Sequence, residues 1–452
     1  MATLWTAPYH PTPISGTVDV PASKSLMARY FILAALSTGP EPSVIKAPLR
    51  ARDSDLMAQA LRELGVTVDW QRGETEAEDV ITISGTPHRG ATIDAGLAGT
   101  VMRFIPPVAA LTSGVVHLDG DAGARVRPMD PVVQGLRELG VRIEAATNAH
   151  GQAVLPLTVH SEGSVAGGEL SIDSGASSQF ISALLLAAPR FEKGLNLRST
   201  GATPPSTPHL NMTCQALLDA GAKVRGYAAD GTEVPVGLAA RDSSPASRWV
   251  VEPGTLHLGE VTVEPDLSNA APFLAAAMVS GGSVSIPRWP ARTTQPGAQI
   301  ADIFSRMGGR VERSGEVLTL HGPTEILPLD ADLHDVGELT PTISAVAAFA
   351  TGPSRLRNIG QLRGHETDRL AAITTELNRL GCTASISGDD ILISPAPMHA
   401  AQLQTYADHR MATFAAIIGL GVEGVVVEDV ETTAKTMPDF PQMWETLVRG
   451  EA

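Results

Sequence analysis

Ala270-Ala-Pro-Phe-Leu-Ala-Ala-Ala-Met278 runs on to Gly281 and is followed by the strand-like Ser283-Val-Ser-Ile286. No residue of the first nine is polar, so a helix built from them has no face to offer water and belongs in a core. The glycine that ends it suits a helix C-cap, where the left-handed conformation costs glycine least.

The same phrase is written six times. Apolar stretches at 27–39, 102–114, 179–194, 270–281, 340–352 and 411–421 each end in glycine. Short strand-like runs follow at 43–46, 115–118, 195–198, 283–286, 354–359 and 425–427. The terminal glycines lie about 70–87 residues apart, which marks a repeat architecture. Five units carry a second mark, a helical pattern closing at Leu64-Gly65, Leu139-Gly140, Ala220-Gly221, Met307-Gly308 or Leu380-Gly381. This second helix is amphipathic, as Leu61-Arg-Glu-Leu64 shows. Each unit therefore reads as buried helix, strand, half-exposed helix and further strand. Six units in 452 residues predict two domains of three units each, with parallel helices inside and sheets outside, an α/β fold.

Composition narrows the function. Apolar residues make up 43% of the chain, enough for two real cores, and the formal net charge of −16 opposes nucleic-acid and anionic-membrane partners. Two cysteines, Cys214 and Cys382, give no disulfide framework and fit a reducing, cytoplasmic setting. We see no signal-peptide pattern and no apolar run of spanning length, so no membrane association is expected. The phosphate-loop, metal-ligand and nucleophile-elbow patterns are absent. Gly419-Leu-Gly-Val-Glu-Gly424 has the letters of a dinucleotide fingerprint, but it closes a helical run instead of following a strand.

The unusual polar residues fall at equivalent points of the repeat. Ser23-Lys-Ser25, Ala98-Gly-Thr100, Ser177-Ser-Gln179, Ser268-Asn269, Glu338 with Thr340, and Asp408-His-Arg410 stand just before the buried helices. N-capping explains a lone Ser or Asp there. It does not explain Lys24, Arg29, Arg103 and Arg410, because cations oppose the positive end of a helix dipole unless an anion lies between. Arg52, Arg127, His209, Arg292, Arg363 and Lys435 precede the second helices. Seven cations, Lys24, Arg29, Arg103, Arg127, Arg369, Arg410 and Lys435, suit substrates with several negative charges.

In order, Pro21-Ala-Ser-Lys-Ser-Leu-Met-Ala-Arg29, Ala98-Gly-Thr-Val-Met-Arg103, Arg127-Pro-Met129, Ser177-Ser-Gln-Phe180, Arg363-Gly-His-Glu-Thr-Asp-Arg-Leu370, Asp408-His-Arg-Met411 and Lys435-Thr-Met-Pro-Asp439 resemble the 5-enolpyruvylshikimate-3-phosphate synthases over essentially the whole chain. The resemblance implies two inverse α/β-barrel-like domains. One, 1–20 with 265–452, holds the phosphoenolpyruvate side and the catalytic acid and base. The other, 21–264, holds the shikimate 3-phosphate side. The active site is expected in the cleft between them, with closure on binding. The implied reaction moves the enolpyruvyl group of phosphoenolpyruvate to the 5-hydroxyl of shikimate 3-phosphate, releasing phosphate, in a monomer that needs no cofactor and no metal.

The same resemblance assigns phosphoenolpyruvate to Lys24, Gly99, Arg127, Gln179, Arg369, Arg410 and Lys435. It assigns shikimate 3-phosphate to Lys24, Ser25, Arg29, Ser177, Ser178, Gln179, Ser206, Glu338, Gln361 and His365. Glu338, Glu366, Lys24 and His409 are the expected catalytic residues, and Gly99 leaves room for glyphosate. Glu338, Gln361 and His365 stand where Asp, Asn and Lys are common, each keeping an acid, an amide or a donor. Leu97 and His209, where Asn and Tyr are common, keep no such equivalence. The alternatives are the sister transferase acting on UDP-N-acetylglucosamine and a non-catalytic anion-binding protein. Lys24-Ser25 and the positions of both cysteines weigh against the first, and the intact charged residues against the second.

Overall fold

The computed structural model describes residues 3–175, 177–201, 206–240 and 243–451. Its chain divides into two compact units, Ala22–Val263 and Met1–Pro21 with Glu264–Ala452.

The described residues of 22–263 carry six α-helices, α1 (Lys24–Leu36), α2 (Arg52–Glu63), α3 (Gly99–Ala109), α4 (Asp130–Glu138), α5 (Gln179–Ala187) and α6 (Thr207–Asp219). α3 is buried along its entire length, and α1 and α5 nearly so. The three pack on one another and form the middle of one apolar core. α2 and α4 bury one face each, Met57, Ala58 and Leu61 in the first and Val132, Val133 and Leu136 in the second. Three sheets cover the core. Ser43–Lys46 runs parallel to Glu260–Thr262 and antiparallel to Val80–Ser84, which pairs with Thr67–Gln71. Along these strands Ile45, Ile81 and Ile83 are buried while their neighbours are more open, the alternation of a sheet with one face on the core. The second sheet repeats the pattern with Ala91–Asp94, Ser113–Asp119, Ala153–Glu162 and Arg142–Thr147. In the third, Gly168–Asp173, Leu195–Thr200, Arg248–Val251 and Val224–Tyr227 follow the same order, with Glu233–Val234 added at the edge.

The other unit has the same plan. Its helices are α7 (Leu267–Ser280), α8 (Ile300–Arg306), α9 (Thr340–Ala347), α10 (Arg369–Leu380), α11 (His409–Gly421) and α12 (Phe440–Arg449). α7, α9 and α11 are the buried, mutually packed trio. Phe273, Phe440 and Trp444 stack at tilted angles beside them, with centroids 5.6–5.9 Å apart. Two of its sheets have four strands, and the third, Gln402–Gln404, Val426–Glu428 and Leu4–Thr6, has three.

The strands on either side of the chain's two crossings are exchanged. Ser15–Thr17 precedes α1 in sequence but pairs with Ser283–Ile286, after α7. Glu260–Thr262 precedes α7 but pairs with Ser43–Lys46, after α1. Each unit thereby completes its first sheet with a strand drawn from the far side of a crossing.

Two details of the sequence reading are corrected. Gly65, Gly140, Gly221, Gly308 and Gly381 all have φ between +85° and +106°, as left-handed caps require. In the first series only Gly281 (φ +69°) closes its helix in that way. α1 stops earlier, at Ser37, whose hydroxyl donates to Leu33 O at 2.8 Å. Gly421 lies within α11, where a Cβ would come 2.5 Å from the Phe349 ring, so it is kept by close packing. Four buried helices, α1, α3, α7 and α11, also begin two or three residues before their apolar runs, while α5 and α9 begin with theirs. Lys24, Gly99, Gln179 and Arg410 therefore lie in first turns, while Arg29 and Arg103 lie in second turns. The polar segment 227–248 holds the edge strand Glu233–Val234 and a helical turn, Gly237–Ala240, among its described residues.

Candidate active site

In residues 22–263 the candidate residues gather at the starts of α1, α3 and α5. A helix start leaves backbone N–H groups without intrahelical acceptors, and there the dipole is positive. Ser23 caps α1, and Lys24 follows it with Nζ 3.3 Å from Asp53 Oδ2 on α2. Lys24, Asp53 and Thr100 line one small cavity, which brings the starts of α1, α2 and α3 together. At the start of α3 the absence of a side chain matters. A Cβ on Gly99 would lie 2.8 Å from Arg127 Nη2, so glycine there lets the guanidinium lie against the helix end. Arg127 Nη1 donates to Leu97 O at 3.3 Å, and its buried Nε has no hydrogen-bond partner among the described residues. Position 97 thus contributes its carbonyl, which does not depend on the leucine side chain.

Gln179 opens α5. Its Oε1 accepts from Arg103 Nη1 at 2.6 Å, and its N–H donates to Ser177 Oγ at 3.2 Å. Arg103 also lies over the Phe180 ring, 5.0 Å from the centroid. Ser178 is buried beside it. Ser206, before α6, has a left-handed backbone, and its hydroxyl lies 2.5 Å from His209 Nδ1. Arg29 is placed differently from the other cations. It is buried, with Nε donating to Thr213 Oγ1, Nη1 to Ser25 O, and Nη2 to both Ser182 Oγ and His209 O. Burial without a carboxylate partner brings its pKa down to about 9. Those bonds use four of its five N–H groups and leave one on Nη1 for a ligand.

In the other unit Asp408 is the organiser. It is fully buried at the N-cap of α11, and Oδ1 accepts from Arg410 N at 2.8 Å. Arg369, the first residue of α10, donates Nε to Asp408 Oδ2 at 2.7 Å and Nη2 to Oδ1 at 3.1 Å. The same Nη2 reaches Glu366 Oε2 at 3.2 Å, and Nη1 lies 3.1 Å from His365 Nδ1. An arginine donor there makes Nδ1 the acceptor and leaves Nε2 of the neutral ring to carry hydrogen. Burial works against the charge of Arg369, yet Asp408 and Glu366 outweigh it and hold its pKa above the ordinary value. Glu366 is gripped from a second side by Lys435, with Nζ 2.8 Å from Oε1.

Arg410 donates to Ser268 O at 2.6 Å, and burial lowers its pKa despite the nearby Asp266, Glu338 and Asp408. Glu338 is the last residue but one of the helical turn His334–Leu339 just before α9, with Ser268 Oγ 3.5 Å from Oε1. Desolvation pushes the Glu338 carboxyl upward, more than its backbone hydrogen bond and the charges of Arg410 and Arg369 pull it down. Gln361 Nε2 donates to His334 O at 3.2 Å, tying its loop to that same turn. His409 is buried in the first turn of α11, with Nδ1 3.7 Å from Asp408 Oδ1.

Two neighbourhoods emerge, one in each unit. One brings Lys24, Gly99, Arg127 and Gln179 to helix starts. The other brings Glu338, His365, Glu366, Arg369, Arg410 and Lys435 around Asp408. Asp53, Asp266 and Asp408 were not among the expected site residues, although each holds one of them or a helix start beside them. Asp266 caps α7 through Ser268 N and Asn269 N, both at 3.0 Å, and a capping signal two residues before Ser268 was readable.

A profile of the family described as EPSP synthase (3-phosphoshikimate 1-carboxyvinyltransferase) matches residues 8–444. A 3-phosphoshikimate 1-carboxyvinyltransferase of Kocuria rhizophila is 50% identical over 99% of this chain and 97% of its own. One of Mycobacterium ulcerans is 45% identical over 99% and 98%. Among solved structures, an EPSP synthase from Acinetobacter baumannii superimposes with TM-score 0.76 at 20% identity, covering 99% of this chain and 98% of that one. The enolpyruvyl transferase NikO of Streptomyces tendae does so with TM-score 0.72 at 17% identity, covering 97% and 96%. With a family profile spanning nearly all its length and relatives at 45–50% identity end to end, the chain belongs to the EPSP synthase family of enolpyruvyl transferases.

Proposed function

We propose that this protein transfers the enolpyruvyl group of phosphoenolpyruvate to the 5-hydroxyl of shikimate 3-phosphate and releases phosphate, a step of the shikimate pathway to aromatic amino acids. The observation that carries the reading is the pairing of the cations. Arg127 and Arg410 are bonded to single carbonyl oxygens, and neither makes an ion pair among the described residues. Arginines held like this suit the carboxylate and phosphate of a doubly anionic substrate.

The chemistry is addition followed by elimination. The 5-hydroxyl oxygen bonds to C2 of phosphoenolpyruvate as its proton leaves, and C3 gains a proton to become methyl. The tetrahedral adduct then loses phosphate from C2 and a proton from the methyl group, restoring the double bond. We assign deprotonation of the hydroxyl to Glu338, whose raised pKa makes it a better base once ionised. Glu366, Lys24 and His409 serve proton traffic at C3. Arg127, Arg369, Arg410, Lys435, Gln179 and the backbone at Gly99 hold phosphoenolpyruvate and stabilise charge on the departing phosphate. Ser25, Arg29, Ser177, Ser178, Ser206, Gln361 and His365 hold shikimate 3-phosphate, with Lys24, Gln179 and Glu338 touching both substrates or the reacting hydroxyl.

Two free, buried cysteines support a reducing, cytoplasmic setting, and no helix among the described residues is long and apolar enough to cross a membrane. We assign the working form to the monomer. Phosphate release tests the function, with each substrate omitted in turn. Release that needs both is expected; release from phosphoenolpyruvate alone, or none, would overturn it.

A further inference from the structure

The turn that delivers Asp408 is strained. Tyr406 and Ala407, the two residues before it, both have φ of +55°, a left-handed pair with no glycine in it. Backbone of that kind persists only where the surroundings impose it, and it clusters at functional sites. Here the imposing group is visible. Tyr406 OH donates to Glu376 Oε1 at 2.6 Å. Glu376 is fully buried on α10, and its other oxygen forms an ion pair with Arg379, 3.1 Å from Nε, and accepts from Gln404 N at 3.4 Å.

Arg369 and Glu376 are seven residues apart on α10, so they share one face of it, two turns from each other. Tyr406 and Asp408 are two residues apart on the turn. The helix and the turn are therefore riveted twice, by Arg369 with Asp408 and by Glu376 with Tyr406. The rivets fall on either side of Ala407, on the route to the α11 cap. Burial and the Glu376 carboxylate move the Tyr406 phenol to about 12, so it stays a donor throughout any working pH range.

We propose that Tyr406 is a positioning residue for the transfer: by anchoring the left-handed turn to Glu376 it fixes where Asp408 stands, and Asp408 aims the Arg369 guanidinium at phosphoenolpyruvate. The inference rests on the function proposed above. It concerns a group that touches neither substrate in our assignment, and it places the anchor two helical turns from the arginine it serves.

Tyr406→Phe removes the hydroxyl and keeps the ring packed on the core. The expected result is a roughly tenfold rise in the phosphoenolpyruvate KM and in its Kd by titration, the scale of one lost hydrogen bond to a charged group. The shikimate 3-phosphate KM is expected to stay within twofold. Glu376→Gln retains an acceptor for the phenol and is expected to lie closer to the wild type than Tyr406→Phe. Unchanged phosphoenolpyruvate affinity in Tyr406→Phe would overturn the inference. So would equal weakening for both substrates, which marks general loosening, or equal weakening in the two variants, which points to the carboxylate charge. A wild type that binds phosphoenolpyruvate without turnover would remove the transferase reading alone, and the titrations would still decide the role of Tyr406.

Discussion

Glu338 shows how far a single residue was legible. Its place before a buried helix was readable from the repeat, and its acid chemistry from the family resemblance. The direction of its pKa was not, because desolvation and nearby arginines act oppositely and only the structure shows that desolvation wins. A base must be ionised to take the hydroxyl proton. Turnover should therefore fall as pH drops through the raised Glu338 pKa, with an acid limb above the ordinary carboxylate value of 4.5. Glu338→Gln is expected to lose about 10²–10⁴-fold in kcat while keeping its shikimate 3-phosphate affinity. A kcat–pH profile with its acid limb at or below the ordinary value, or near-normal kcat in the variant, would assign the proton to another group. Arg29 marks the opposite case. Its place in a row of cations was readable, but a one-dimensional pattern does not show that Thr213, Ser25, Ser182 and His209 take most of its N–H groups and leave one on Nη1.

At the scale of elements, periodicity located the helices better than it located their ends. The apolar run decides that a helix is buried, whereas capping depends on local hydrogen bonds such as Ser37 to Leu33. Gly352 and Gly221 were both read as closing glycines, yet they should respond in opposite ways to alanine. Gly352 has no positive φ, and a Cβ there would sit 3.6 Å from Pro328, an ordinary contact. Gly352→Ala should stabilise by about 0.4–1 kcal/mol through the unfolded chain. Gly221 has open space around it but φ of +85°, so Gly221→Ala should destabilise by about 1 kcal/mol. Urea denaturation of both variants measures this, and the same sign for both would contradict the cap assignment.

For the whole molecule, six units were legible because each repeats its own apolar signature. The exchange of Ser15–Thr17 and Glu260–Thr262 was not, because strand pairing across more than 200 residues leaves no local mark. The proposed reaction asks residues of both units to meet one pair of substrates. We therefore expect the protein to become more compact in small-angle scattering when shikimate 3-phosphate and phosphoenolpyruvate are both present; identical curves with and without them would argue against closure. The most direct test of the account is to run the reaction in D2O and follow it by NMR. The account predicts one enolpyruvyl ether for each phosphate released, with deuterium entering the vinyl CH2 through the transient methyl group. Phosphate released without the ether, or an ether whose vinyl protons never exchange, would contradict it.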